Sequence, residues 1–196
     1  MAEWLVVGLG NPGREYAMSP HNMGFMAVDL LAVRHGIRIA RKSSRALVGS
    51  GEIAGKAVVL AKPQTYMNLS GEPVKPLLEM GAMTPANVIV VYDDHDLPWK
   101  FLRIRPRGSA GGHHGVESVI AHLGTNGFAR VRLGICPGSG RATPEFLLKP
   151  FRREQKEELE GFLDQAAQAV ESIISEGVVT AMTKYNSSRP RLQEEE

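Results

Sequence analysis

Four polar loops of this chain carry side chains that could catalyse hydrolysis. A histidine paired with a carboxylate can take a proton from water near neutral pH, and His21 with Asp93 is the obvious pair. The amides of Asn11 and Asn68 could donate hydrogen bonds to a carbonyl oxygen as it becomes negative. The loops are "GLGNPGREYAMSPHNMG", "KPQTYMNLSG", "DDHDLP" and "GSAGGHHG". These residue types predict attack by an activated water molecule on a carbonyl group.

Two other kinds of catalytic site fit the same residues less well. A covalent mechanism would need a nucleophile in a suitable turn, and the pattern G-x-S-x-G is absent. A metal centre could draw on His113, His114 and the acids of "DDHD", because imidazole and carboxylate both suit zinc or manganese. Adjacent histidines cannot easily bind one ion together, and neither H-E-x-x-H nor a pair of cysteines occurs. We therefore expect neither a metal nor a cofactor.

The first loop begins with "GLGNPG", which fits the G-x-G-x-x-G pattern of dinucleotide-binding loops. In such a loop the third glycine opens a helix directly, and an acid follows about 20 residues later. Asp29 has roughly that spacing, yet Pro20 would interrupt a helix that began at Gly13. Ser19 and Pro20 instead predict an N-cap and a first helical turn, so that the helix begins near His21. The glycines therefore belong to an extended loop rather than to a dinucleotide site.

Predicted strands and helices alternate along the chain and place these loops at strand ends. Apolar, β-branched runs predict strands at Trp4–Leu9, Ala46–Ile53, Ala57–Ala61, Val88–Tyr92, Phe101–Ile104 and Ala129–Ile135. Helical periodicity occurs in "HNMGFMAVDLLAVRHG", "SGEPVKPLLEMGA" and "HHGVESVIAHLG", and again between Thr143 and Tyr185, with a stop at Gly177. The alternation predicts a single-domain, three-layer α/β sandwich with a mixed, largely parallel central sheet and a helical C-terminal region. The second and third runs predict an antiparallel hairpin.

The length of 196 residues and the hydrophobic content of 43% suffice for one substantial core. We expect one domain over residues 1–186 and a disordered tail over 187–196, where the sequence is polar. No apolar stretch approaches the roughly 18 to 20 residues of a membrane span, and the N-terminus has no targeting pattern. Cys136 is the single cysteine and leaves no intrachain disulfide to form. These features favour a cytoplasmic protein without membrane contact.

The net charge of +2 is unremarkable, but the charges are segregated along the chain. The run "KFLRIRPR" contains Lys100, Arg103, Arg105 and Arg107 without an acid, and it closely follows the acids of "YDDHD". Such a pattern suits a site that handles a polyanion beside a catalytic carboxylate. It equally suits a solvated strand with alternating exposed positions, and the charge pattern alone does not separate the two interpretations.

Taken together, five motifs resemble those of the bacterial peptidyl-tRNA hydrolases. They are "VVGLGNPGREY", "HNMGF", "KPQTYMNLSG", "YDDHDLP" and "RGSAGGHHGVESVIAHLG", in that family's order and spacing over about residues 3–186. The resemblance implies a cytosolic α/β enzyme that cleaves the ester between the carboxyl end of a peptide and the 3′ ribose of tRNA. Its substrate would be peptidyl-tRNA, which it would recycle without a metal or cofactor. We expect a monomer with no obligate protein partner.

The resemblance also implies a role for each matching residue. His21 would activate water, and Asp93 would orient and polarise it. Asn11 and Asn68 would bind the peptide end, and Asn68 would also help to position His21. The remaining assignments are Met67 in the cleft wall, Tyr16 near the tRNA end, and Arg103, Arg105 and Arg132 on phosphates. From sequence order, helices past Thr143 would form a movable flap in which Phe146, Leu147 and Leu148 contact the peptide.

Three positions depart from the family's pattern. His114 stands where the family has an asparagine that helps to bind substrate and water, although a neutral imidazole can still donate one hydrogen bond there. Pro20 replaces a basic residue, and Lys100 falls where glycine is common. These departures leave open a second interpretation, which is a catalytically weakened RNA-binding protein on the same fold.

Overall fold

The computed structural model describes residues 2–136 and 143–186. Within them, one seven-stranded sheet has the strand order β2-β3-β4-β1-β5-β7-β6. The strands are β1 (Trp4–Gly8), β2 (Arg41–Ser43), β3 (Ala46–Ile53), β4 (Lys56–Pro63), β5 (Val88–Pro98), β6 (Leu102–Arg105) and β7 (Ala129–Cys136). The tail that we expected to be disordered lies outside the described residues.

The centre of the sheet is parallel and its two edges are antiparallel. β1 pairs in parallel with β4 and β5, and β5 pairs in parallel with β7. The pairs β2–β3, β3–β4 and β6–β7 are antiparallel, so the predicted hairpin is present as β3 and β4. Residues 5–7 of β1 and 88–91 of β5 are fully buried, as expected of central parallel strands that are covered on both faces.

Helices cover both faces of the sheet and produce three layers. On one face α1 (Met23–Arg34), α5 (Arg153–Glu176) and α6 (Val178–Asn186) enclose the larger apolar core. On the other face α2 (Gly71–Met80) and α3 (His114–Leu123) enclose a second core. The short helix α4 (Pro144–Leu148) lies beside the turn that precedes α1. The predicted α/β fold class is therefore confirmed, including the end of α5 at Gly177.

Within the described ranges, no helix combines the length and the apolar character that crossing a membrane requires.

Two strands differ from the sequence prediction. β2 was not expected because Arg41–Ser43 is polar, and it forms an edge strand whose side chains are mostly exposed. β5 continues beyond its apolar run to Pro98, because its pairing with β7 includes Asp93 and Asp94 and resumes at Pro98. The prediction relied on apolar runs, so it could not identify a polar edge strand or the polar end of a strand.

Two local backbone features bear on the departures noted in the sequence. Lys100 has a φ of 67°, in the left-handed region that favours glycine, which explains why glycine suits this position. Pro20–Asn22 forms a 3-10 turn that leads into α1, so the helical stretch begins at Pro20 as predicted. The Ser19 hydroxyl does not cap this turn, however, because it donates to the carbonyl of Tyr16 at 2.8 Å.

The first turn of α1 packs directly against β1, and two glycines allow this close contact. A Cβ on Gly8 would lie 2.2 Å from the carbonyl oxygen of Gly24, and a Cβ on Gly24 would lie 2.3 Å from that of Val91. The N–H of Phe25 also donates to the carbonyl of Leu9 at 3.2 Å. This close approach brings the turn before α1, and with it His21, to Asp93 of β5.

Candidate active site

Asp93 lies between two histidines that come from different elements. Nδ1 of His21, in the turn before α1, lies 3.0 and 2.9 Å from the two carboxylate oxygens of Asp93. Nε2 of His113, which immediately precedes α3, lies 3.1 Å from Oδ1 of the same carboxylate. The side chain of Asp93 is 2% exposed and that of His21 is 13% exposed, so the imidazole of His21 reaches solvent while the carboxylate does not.

The hydrogen bonds indicate which ring nitrogens carry protons. The N–H of Val116 donates to Nδ1 of His113 at 3.3 Å and caps α3, so Nε2 of His113 holds the proton that is directed at Asp93. An ionised carboxylate can only accept, so Nδ1 of His21 also donates to Asp93. Nε2 of a neutral His21 is then left as a proton acceptor on the opposite edge of the ring.

Burial and charge act against each other at this site. Burial alone would lower the pKa of His21, but the charge of Asp93 and the hydrogen bond to it outweigh burial and raise this pKa. Burial alone would raise the pKa of Asp93, but the charges and hydrogen bonds of His21 and His113 hold it well below its usual range. Asp93 therefore stays ionised and stabilises the protonated form of His21.

The same three side chains form the one group among the described residues that could hold a metal ion. Their ligand atoms lie within 4.8 Å of one another, and two imidazoles with a carboxylate would suit zinc. In the hydrogen-bonded arrangement, both imidazoles direct a proton at Asp93, so an ion would have to displace those protons. The expectation that no metal takes part stays a prediction.

Asn11 is held in the loop after β1 by three hydrogen bonds. The side chain of Asn22 accepts from the N–H of Asn11 and donates to its carbonyl, both at 2.9 Å. The N–H of Met67 donates to Oδ1 of Asn11 at 2.8 Å. Because Oδ1 is engaged in this way, Nδ2 of Asn11 keeps its N–H groups for a ligand. Asn22 thus positions Asn11, a role that sequence reasoning missed.

These side chains face a cleft of about 530 Å³, large enough for the end of a peptide or nucleotide chain. Its wall consists of Asn11, His21, Tyr66, Met67, Asn68, Asp93, His95, Gly112, His113, His114, Pro144, Leu147 and Leu148. Asn68 is exposed in this wall, but no hydrogen bond joins it to His21 in the part of the chain that the structure describes. No direct contact therefore supports the expected role of Asn68 in positioning His21.

Four other expected residues differ from one another in their surroundings. Leu147 and Leu148 of α4 line the cleft as predicted, whereas Phe146 packs against the core on the α1 side of the sheet. Tyr16 is half-buried in the 3-10 turn Arg14–Tyr16 and is not among the residues that line the cleft. The structure therefore does not bring Tyr16 to the catalytic side chains.

Four arginines lie on one face of the β6–β7 edge. Arg103 is opposite Arg132 and Arg105 is opposite Arg130 in the antiparallel register, so like charges face each other. Burial, together with the charges of Arg103 and Arg132, lowers the pKa of Arg105. Arg130 is buried and donates to the carbonyls of Ser109, before α3, and Asn126, after α3. Arg132 pairs with Asp94. We call Arg103, Arg105 and Arg132 the arginine patch.

Sequence reasoning missed the contact between His113 and Asp93. His114 was expected to bind substrate, whereas His113 was considered only as a metal ligand. The structure directs His113 at Asp93, while the side chain of His114 is 75% exposed at the rim of the cleft, 3.6 Å from Glu117. Both histidines stand at the start of the predicted helix, and the periodic pattern does not fix which of them is the N-cap, whose side chain folds back toward the first turn.

Comparison with known proteins identifies the family. The family model described as peptidyl-tRNA hydrolase matches residues 5–194. Peptidyl-tRNA hydrolase of Solibacter usitatus is 54% identical over 194 residues, covering 98% of this chain and 99% of the relative. That of Koribacter versatilis is 47% identical over 184 residues, covering 93% of this chain and 92% of the relative.

A solved structure agrees with these relatives. The crystal structure of peptidyl-tRNA hydrolase from Acinetobacter baumannii superimposes with a TM-score of 0.86 at 32% identity, covering 95% of this chain and 97% of that chain. The family model covers nearly the whole chain, the relatives have a similar length, and the solved structure has the same fold. The chain belongs to the peptidyl-tRNA hydrolase family.

Proposed function

We propose that this chain hydrolyses the ester bond between a peptide, or an N-blocked amino acid, and the 3′ ribose of tRNA, with His21 as the base that activates water. Membership of the family supports the hydrolase activity. The observation that carries the mechanism is the hydrogen bond of His21 Nδ1 to the buried Asp93, which leaves Nε2 as the acceptor. The second interpretation, an RNA-binding protein with weakened catalysis, finds no support in these comparisons.

In this mechanism His21 carries one proton from water to the leaving group. Nε2 of His21 takes the proton as the water oxygen attacks the acyl carbon, and the charge of Asp93 stabilises the imidazolium that forms. The tetrahedral intermediate then breaks its bond to the ribose oxygen, which receives the proton from His21. The products are a tRNA with a free 3′ hydroxyl and a peptide with a free carboxyl group, which then releases its proton to solvent and becomes a carboxylate.

The amides of the cleft would bind the acyl group. Nδ2 of Asn11 supplies fixed N–H groups, because Met67 and Asn22 hold the rest of this residue. Donors that are fixed before the reaction stabilise the developing oxyanion without having to reorient. Asn68 and His114 are exposed in the same wall and would contact the peptide, and Leu147 and Leu148 would offer it apolar surface.

The arginine patch would bind phosphates of the tRNA. Contacts between guanidinium groups and phosphates position an RNA without reading its sequence, which suits an enzyme that accepts many tRNAs. The pairing of Arg132 with Asp94 fixes one of these guanidinium groups beside the strand that carries Asp93. The cytoplasm would be the location of this substrate. A monomer would suffice, because every residue of the proposed site comes from one chain.

A release assay tests this function. The purified chain is incubated with an N-blocked aminoacyl-tRNA, and the amount of blocked amino acid released is measured. The assay is repeated with a chelator of divalent cations, under conditions in which the tRNA stays intact. We expect release at the same rate in both samples. An absence of release would contradict the hydrolase function, and loss of activity on chelation would favour the alternative in which a metal bound by His21, Asp93 and His113 activates the water.

A further inference from the structure

A second cavity lies next to the catalytic cleft. It has a volume of about 170 Å³ and contains the side chains of Arg105, Arg107 and Arg132 together with Asp94 and the loop before α3. We call it the basic pocket. Its wall and the wall of the catalytic cleft have three residues in common, which are Asp93, His95 and His113. The two cavities therefore adjoin each other at these side chains.

His95 differs from the other two shared residues because it is accessible. Its side chain is 36% exposed, whereas those of Asp93 and His113 are 2% and 5% exposed. Nε2 of His95 lies 3.6 Å from Oδ1 of Asp96, which is too long for a hydrogen bond. Within the described residues, this imidazole therefore has donor capacity that the protein does not use.

The substrate must pass this side chain if it occupies both cavities. The ester lies at His21 in the cleft, and the phosphates lie at the arginines of the basic pocket. The ribose and the phosphodiester of the last nucleotide connect these two groups covalently, so they cross the boundary between the cavities. His95 is the exposed side chain at that boundary, and an imidazole can donate an N–H to a phosphate oxygen in either of its protonation states.

We propose that His95 binds the phosphodiester that links the last two nucleotides of the tRNA, and so sets how the terminal ribose enters the cleft. The inference rests on the proposed function, because it takes the position of the ester from the role of His21. His95 acts here as a substrate-binding residue. Because this contact is the same before and during the reaction, its loss raises KM and leaves kcat nearly unchanged.

Two forms of one substrate test the contact. The first is an N-blocked aminoacyl-tRNA, and the second carries a methylphosphonate in place of the last phosphodiester, which removes its negative charge. We expect His95→Leu to raise KM for the first substrate by about tenfold, the effect of one hydrogen bond to a charged group. The methylphosphonate should raise the KM of the unsubstituted protein by a similar factor. For His95→Leu it should have little further effect, because the two changes remove the same contact.

Two further variants serve as controls. His95→Gln keeps an N–H donor and should recover part of the affinity. His122→Leu changes another exposed histidine, at the far end of α3 and outside both cavities, and should behave like the unsubstituted protein.

Additive effects of the methylphosphonate and His95→Leu would overturn the inference, because His95 would then contact the base or the ribose. A fall in kcat with an unchanged KM would also overturn it, because that pattern indicates a disturbed Asp93. Failure of the unsubstituted protein to cleave the normal substrate would instead count against the proposed function.

Discussion

The carboxylate of Asp93 is almost completely buried, and two imidazoles compensate for its loss of hydration. Without His21 and His113, burial would favour the protonated acid, which could not stabilise a protonated histidine. With both present, Asp93 stays charged and raises the pKa of His21. His113 supplies the second hydrogen bond from a side chain that is almost completely buried. The basicity of His21 thus depends on the carboxylate of Asp93 and, through it, on His113.

Replacing Asp93 tests this dependence through the pH profile. A base acts only when unprotonated, so kcat/KM falls as the pH drops below the pKa of His21. In Asp93→Asn the raising effect of the carboxylate is lost, and the acid limb of the profile should move to lower pH. The plateau should fall by about 10² to 10⁴-fold, because the imidazolium loses its stabilising charge. The measurement is kcat/KM against pH between about 5 and 8, the range in which histidine titrates.

Asp96→Asn is the matched control for this experiment. Asp96 lies on the same strand three residues later but is 63% exposed and does not contact His21. Its removal should leave the acid limb in place. An unchanged limb in Asp93→Asn, or an equal shift in both variants, would show that Asp93 does not set the pKa of His21.

At the scale of single residues, the sequence predicted the pairing of His21 with Asp93 but not its full environment. Both residues follow apolar elements whose ends meet at one sheet edge, and this topology can be inferred from the pattern. Which of two adjacent histidines faces inward depends on how the chain enters α3, which the pattern does not encode. The bonds of Asn22 to the backbone of Asn11 span a loop of irregular conformation, which also has no periodic signal.

At the scale of secondary structure elements, the crossing of α1 over β1 determines where His21 lies. The loop "GLGNPG" resembles a phosphate-binding loop in its glycines, but the first of them has a packing role instead. Gly8 and Gly24 allow the backbones of β1 and α1 to approach so closely that side chains at either position would meet backbone atoms. Glycine spacing alone could not distinguish this role from dinucleotide binding, whereas the proline seven residues after Gly13 could.

Gly24→Ala tests the importance of this crossing. A Cβ on Gly24 would lie 2.4 Å from the nitrogen and 2.5 Å from the carbonyl oxygen of Leu9, so the helix must shift. We expect the free energy of unfolding to fall by about 3 kcal/mol, the upper end of the usual range for overpacking. Activity should also fall, because the shift displaces His21 from Asp93. Urea unfolding and the release assay measure the two effects.

The same substitution at Gly161 should change the free energy of unfolding in the opposite direction. Gly161 is exposed within α5, and a Cβ there would meet no atom within 4 Å. Alanine in a helix should raise the free energy of unfolding by about 0.5 to 1 kcal/mol and leave activity unchanged. If both variants lost stability equally, the close contact between α1 and β1 would not be the cause.

At the scale of the whole molecule, the distribution of charge matters more than its sum. The net charge is only +2, but the arginine patch concentrates positive charge at the β6 edge of the sheet beside the catalytic cleft. The sequence alone left this run equally open to a solvated strand. The register of β6 with β7 favours the anion site, because it sets arginines opposite arginines. Asp94 offsets the charge of Arg132 alone, and a bound anion would relieve the remaining repulsion.

The salt dependence of tRNA binding tests the arginine patch. Binding of uncharged tRNA should weaken as salt increases, since each phosphate contact releases counterions. Arg103→Gln should reduce the slope of log K against log salt by about 0.7 to 0.9, the contribution of one such contact. Arg41→Gln alters an exposed arginine of β2 at the opposite edge of the sheet and should preserve the slope. Equal slopes for all three proteins would mean that the patch does not contact phosphates.

In the proposed mechanism, His21 activates the water that cleaves the ester. The single-turnover rate of release from an N-blocked aminoacyl-tRNA by His21→Ala, at protein concentrations that saturate the substrate, tests this role. We expect a rate about 10² to 10⁴-fold below that of the unsubstituted protein, with the affinity for uncharged tRNA unchanged. A rate equal to that of the unsubstituted protein under these conditions would contradict the mechanism.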